Sequence, residues 1–214
     1  MKYNRIILEI AKLPVSIDVN DSVLNEFIIK ECQGFLSRKK PILNVKAKFN
    51  PGFKVLPCRG KFIPLKIYND KGVLTCKSWN FEGKIDISKK KANLEIGEKG
   101  MFSSLQNFLR VLYAAILVEN KGVMIHSASI IKDTKGYLFL GKSGSGKTTV
   151  SESAYNKKYK VLSDDVTIIR KEGKSYKVYN SPFWGALTSE IADTNELAKP
   201  IAGLFKLIKS DKNK

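Results

Sequence analysis

Gly141-Lys142-Ser143-Gly144-Ser145-Gly146-Lys147-Thr148 is an unbroken match to G-x-x-x-x-G-K-[ST], the Walker A pattern of a phosphate-binding loop, or P-loop. Each fixed position has a physical task. Gly141, Gly144 and Gly146 admit φ > 0 and let the backbone close around an oligophosphate. The amides of the loop and of the helix start behind it point inward, on the positive end of the helix dipole. Lys147 has the reach for β- and γ-phosphates, and the Thr148 hydroxyl can ligate Mg²⁺. The nucleotide-contacting stretch expected is therefore Gly141, Lys142, Ser143, Gly144, Ser145, Gly146, Lys147, Thr148 and Thr149.

The flanks suit that reading. Gly136-Tyr-Leu-Phe-Leu140 is a short apolar run that predicts a strand entering the loop. Thr149 to Lys158, with Val150 and Ala154 four apart, predicts the helix leaving it. Upstream, Val123-Met-Ile-His-Ser-Ala-Ser-Ile-Ile131 reads as a strand, and Asp133-Thr-Lys-Gly136 turns it back into the run before the loop. The strands around the loop should thus be antiparallel neighbours, unlike a parallel β-α-β repeat.

Lys160-Val-Leu-Ser-Asp-Asp-Val-Thr-Ile-Ile169 follows, a strand pattern broken by an acidic pair. On an extended chain Asp164 and Asp165 would point to opposite sides and do different work. A phosphoryl transferase needs one carboxylate near Mg²⁺ and one to take the proton of the incoming hydroxyl. An acidic turn at a strand end would look the same; the phosphate loop upstream is what favours function. His126 is the single histidine of the chain, set in an apolar strand. A core histidine would fit there, as would one aimed at the γ-phosphate or an aspartate.

The first hundred residues read mostly as β structure. Ile42 to Phe49, Ile85 to Ser88 and Ala92 to Gly97 alternate apolar and polar, and Asn69-Asp-Lys-Gly72 and Glu82-Gly83 supply turns. A meander of short antiparallel strands is the expectation. Asp21 to Leu36 predicts a helix opening at Asp21 or Ser22, with Val23, Leu24, Phe27 and Ile28 on one face. Phe102 to Glu119 is the clearest helix, capped by Ser103 or Ser104 and striped by Leu105, Phe108, Leu109, Leu112 and Ile116. The organisation expected is a β-rich region over residues 1–100 and a nucleotide-binding domain over 101–214.

Composition narrows the setting. At 214 residues, 43% apolar and 27% charged, the chain can bury a sizeable core. Val111 to Val118 is the longest apolar run, far short of the roughly 20 residues that span a bilayer. The amino terminus carries a charge inside its short apolar stretch and no cleavage signal, so a secretory peptide is not expected. Cys32, Cys58 and Cys76 are widely spaced and form no metal-ligand cluster, which suits free thiols in a reducing, cytoplasmic setting. The formal net charge is +18, yet the lysines are scattered, with Lys89-Lys90-Lys91 the one tight run. That is what a lysine-rich composition alone would give; attraction of anionic nucleotide and an acidic partner is the next reading, and DNA or RNA binding is not expected.

Taken together, Gly122-Val-Met-Ile-His-Ser-Ala-Ser, Tyr137 to Thr149, Val161-Leu-Ser-Asp-Asp and Asn180-Ser-Pro-Phe-Trp-Gly185 resemble the catalytic domain of the HPr kinase/phosphorylase family, and more closely its shorter bacterial and archaeal HPr-kinase-like members. The resemblance covers residues 120 to 186 and implies an α/β fold: a mixed-sheet P-loop kinase core, similar to that of ATP-type phosphoenolpyruvate carboxykinases, behind a β-rich N-terminal region. It implies ATP and Mg²⁺ as cofactors. Asp164 matches the general base with His126 as its companion, and Asp165 matches the aspartate near the metal, beside Thr148. With Lys147, these imply a serine kinase acting on a protein or peptide.

The Glu-Val-Arg-Gly type segment of authentic HPr kinases is absent: residues 176 to 190 read Tyr-Lys-Val-Tyr-Asn-Ser-Pro-Phe-Trp-Gly-Ala-Leu-Thr-Ser-Glu. HPr as substrate and the phosphorylase reaction are therefore not expected. The sequence stops at Lys214 where relatives continue, which suits a short member or a fragment. Two rivals stay open: an ATP-binding regulatory module without turnover, and a small-molecule kinase using arginines such as Arg110, Arg170, Arg5, Arg38 or Arg59. Lys142 and Lys160 are candidates for extra positive potential at the site. The oligomeric state, a homo-oligomer included, is not legible.

Overall fold

Ala11 and Lys12 both take positive φ, 52° and 60°, and so fold the amino terminus into a tight hairpin of β1 (Asn4–Ile10) and β2 (Leu13–Val19). A computed structural model describes residues 3–53, 65–157, 159–183, 185 and 198–209. Cys58, Arg59, Lys158, Trp184 and residues 186–190, all considered above, lie outside these. The chain divides into two compact units, Met1–Ile116 and Leu117–Lys214.

In the first unit β2 leads to helix α1 (Ser22–Glu31), whose N-cap Asp21 accepts the Leu24 amide at 3.0 Å. The helix buries Leu24 and Ile28 and ends well before Leu36, where Gln33–Phe35 tighten into a 3₁₀ turn. Strands β3 (Leu43–Phe49), β4 (Lys66–Asp70), β5 (Val73–Lys77), β6 (Phe81–Asp86) and β7 (Lys91–Ile96) complete a seven-stranded sheet in the order β1-β2-β3-β7-β6-β5-β4. Its centre is parallel, β2 to β3 and β3 to β7, and its flanks are antiparallel. The antiparallel meander expected is present from β4 through β7, while the parallel pairs make the sheet as a whole mixed; Glu82 and Gly83, expected to form a turn, lie within β6. Helix α1 supplies the crossover that the parallel β2–β3 pair requires, and β4 to β6 intervene between the parallel strands β3 and β7.

Helix α2 (Met101–Glu119) belongs to this unit for all but its last residues, so the unit ends at 116 rather than at the expected 100. Packing decides this. Phe108 lies so close to Gly83 that a Cβ there would meet its ring at 2.5 Å. The Tyr113 hydroxyl is shared between the carbonyls of Leu8 and Leu13, at 3.2 and 3.1 Å. By length and composition α2 could cross a membrane, but 50% of its apolar window is buried, including Leu105, Phe108, Leu109 and Leu112. That is how a core helix is buried.

The second unit is built on β8 (Gly122–Lys132), which turns through Asp133 and Thr134, both at positive φ, into β9 (Lys135–Leu140). These two are antiparallel, as expected. Helix α3 (Lys147–Asn156) follows, then β10 (Lys160–Ser163), β11 (Val166–Glu172), β12 (Ser175–Tyr179) and β13 (Lys199–Lys206). Pairings β8–β11, β11–β12, β12–β13, β13–β9 and β9–β8 close on themselves, with β13 parallel to β9. A closed ring of strands leaves few open edges. Ile131, Leu138, Leu162, Ile169 and Val178 fill one core of this unit. Both units are mixed α/β, with seven strands in the first and six in the second among the described residues.

Candidate functional site: a glycine loop facing an aspartate bend

The glycine-rich loop joins the end of β9 to the start of α3, so the strand–loop–helix order read from the sequence is present. Gly144 and Gly146 take φ of 75° and 98°, values that cost an L side chain. Gly141 is not among the positive-φ glycines. Its constraint is space, since a Cβ there would sit 2.2 Å from the Ser145 Oγ and 3.1 Å from the Leu207 carbonyl oxygen.

Lys147 opens α3 and is only 7% exposed. Its ammonium donates to the carbonyls of Gly141 at 2.8 Å and Lys142 at 3.1 Å. The side chain therefore curls over its own loop, one donor of three remaining beyond these two. Thr148 and Thr149 stand exposed on the first turn.

The aspartates arise from a break in a strand. β10 and β11 lie end to end along one flank of β8, with Ser163 opposite Ser129 and Val166 opposite His126. Asp164 and Asp165 form a bend at the junction instead of lying on extended chain. The expected divergence to opposite faces is corrected accordingly. The Ser163 and Ser181 hydroxyls each donate to the Val166 carbonyl at 3.0 Å, and the Ser127 amide donates to the Asp165 carbonyl at 3.0 Å. These bonds fix the bend.

Register places His126 beside Asp165: its Nδ1 lies 2.9 Å from the Asp165 Oδ1. Resemblance had paired His126 with Asp164. Asp164, 6% exposed, instead accepts the Gly185 amide on Oδ1 at 2.8 Å. Gly185 must be glycine, because a Cβ would lie 2.6 Å from the Asp164 Oδ2. Sequence reasoning did not give Gly185 a role, although it closes the Asn180-Ser-Pro-Phe-Trp-Gly185 stretch that helped carry the resemblance.

One cleft of about 380 Å³ gathers these groups: His126, Asp164, Asp165, Gly185, and from the loop and helix Ser143, Gly144, Gly146, Lys147, Thr148 and Thr149. Gly141 and Lys142 act beneath it, through the carbonyls that hold Lys147. Ser145 lines a neighbouring groove. Lys160 stands at the far end of β10, opposite Ile131, and Arg170 is engaged with the Asn120 carbonyl at 3.2 Å. Arg5 is paired with Asp18 in the first unit. No cluster of three or more His, Cys, Asp or Glu suited to a metal occurs among the described residues. The Thr148 hydroxyl and the Asp165 carboxylate on one cleft are hard oxygen donors of the kind Mg²⁺ takes alongside phosphate oxygens.

No curated protein matches the chain. Among solved structures, the HPr(Ser) kinase/phosphatase from Coxiella burnetii is similar at 16% identity and a TM-score of 0.32, over 42% of this chain and 69% of that one. A family model described as SynChlorMet cassette protein ScmC matches residues 94–214, from within β7 through the whole second unit and thus over more than half of the sequence. The chain belongs to the ScmC family.

Proposed function

We propose that this protein is an ATP-dependent phosphotransferase of the serine-kinase class that moves the γ-phosphoryl group to a hydroxyl on a protein or peptide. The observation that carries the reading is the meeting, on one cleft, of the Lys147 loop at the start of α3 with the bend that holds Asp164 and Asp165. Anion-binding amides and a lysine on one wall and carboxylates on the other are what phosphoryl transfer needs, since its catalysis is mostly positioning and charge neutralisation.

In this account the loop amides and Lys147 hold the phosphates, and a rearranged Lys147 exchanges loop carbonyls for phosphate oxygens. Thr148 and Asp165 would hold Mg²⁺, which would supply neutralisation of phosphate charge. His126 orients Asp165 through the 2.9 Å contact. Asp164, oriented by the Gly185 amide, accepts the proton of the acceptor hydroxyl. The acceptor oxygen forms a bond to the γ-phosphorus as the bond to the β,γ-bridging oxygen breaks, and ADP leaves with that electron pair.

The test is ADP formation from ATP and Mg²⁺ with fractions of host lysate as acceptor source, comparing the unaltered protein with Asp164→Asn. The expected result is acceptor-dependent ADP release by the former alone. ATP bound without turnover in every fraction would instead support a regulatory module.

A further inference from the structure

Next to the cleft, along α3, lies a second depression of about 460 Å³. We propose that it holds the nucleoside, base and ribose, of the nucleoside triphosphate whose phosphates occupy the glycine loop. This rests on the reading of that loop as a phosphate site.

The groove is continuous with the glycine loop. Gly146 and Thr149 border both this groove and the cleft that holds Lys147, Asp164 and Asp165. A chain of phosphates wrapped on the loop amides can therefore enter the groove without leaving the protein surface. Gly146, Thr149, Val150, Ser153, Ala154 and Lys157 follow the i, i+3, i+4, i+7 spacing of one helix face, so α3 forms a whole wall.

The opposite walls come from Ile130, Tyr159 and Leu207, and Ile130 and Tyr159 pack on the buried Ala154–Val161 pair. Apolar walls with an aromatic ring and a few polar groups suit a base, and the volume falls in the roughly 300–1,000 Å³ range of small-ligand sites. Lys132, whose Nζ lies 5.7 Å from the centre of the Tyr159 ring, and Lys157 place positive charge at the rim.

Calorimetric titration with Mg·ATP and with Mg·tripolyphosphate tests this on the full chain. The unaltered protein should bind ATP at least about ten-fold more tightly than tripolyphosphate. Ser153→Trp, which fills the groove from an exposed helix position, should weaken ATP about ten-fold and leave tripolyphosphate within about two-fold. Equal affinity of the unaltered protein for the two ligands would overturn the groove assignment while leaving the loop intact. So would a folded Ser153→Trp protein with undiminished ATP affinity. Failure of both ligands to bind the unaltered protein would remove the phosphate site and this inference with it. Should Ser153→Trp not fold, the comparison of the two ligands on the unaltered protein decides alone.

Discussion

The Nδ1 of His126 lies 2.9 Å from the Oδ1 of Asp165, across the junction where β11 takes over from β10 along β8. Because the imidazole holds Asp165, its role in this account is to orient a metal ligand. His126→Ala should therefore raise the Mg²⁺ concentration needed for half-maximal turnover by about 10–100-fold. ATP affinity measured at saturating Mg²⁺ should change little. A magnesium titration of initial rates checks it.

Gly185→Ala should strike the other carboxylate. The new methyl group would stand 2.6 Å from the Asp164 Oδ2, so the aspartate or the backbone of residue 185 must move. A displacement of about 1 Å at a reacting group costs on the order of 100-fold in rate. Calorimetry should show ATP binding retained, because neither residue belongs to the glycine loop. Steady-state rates beside that titration give the answer.

Tyr113→Phe should destabilise the first unit without touching the cleft. The mutation removes a buried hydroxyl shared by the Leu8 and Leu13 carbonyls and leaves those acceptors in an apolar surround. A loss of about 1–2 kcal/mol is expected. Urea unfolding should show it as a lowered midpoint with unchanged slope.

Burial pushes the Cys32 thiol up to about 12 and the Cys76 thiol up to about 11 from an ordinary value of 9.0. The folded state thus favours the neutral thiols. Their contribution to stability is complete below pH 9.0 and is lost as pH rises through about 11 and then about 12. At pH 8 neither thiol should react with iodoacetamide until the protein is unfolded. Mass spectrometry in a Cys58→Ser background reads this directly.

Much of the second unit was legible because its elements are local. The run Gly136 to Leu140, the glycine loop and the amphipathic turn after it need only near neighbours to declare themselves, and the Asp133–Gly136 turn announces the β8–β9 hairpin. The bend at Asp164 was not legible as a bend. It depends on the hydroxyls of Ser163 and Ser181 converging on one carbonyl, and Ser181 is distant in sequence. Gly185 escaped notice for the same reason, since its constraint is a carboxylate brought from another strand. The β1–β2 hairpin turns on Ala11 and Lys12, neither a residue that signals positive φ. The parallel pairing of β2, β3 and β7 is a choice of partners that alternation along single strands does not encode.

Phosphoryl transfer from ATP would depend on both Lys147 and Asp164. The direct measurement is a time course with γ-labelled ATP and Mg²⁺ in host lysate, run with the unaltered protein, Lys147→Ala and Asp164→Asn. A labelled protein or peptide is expected with the unaltered chain only, with ATP binding lost in Lys147→Ala and kept in Asp164→Asn. Equal labelling by the unaltered and Asp164→Asn proteins, or ATP affinity unchanged in Lys147→Ala, would contradict it.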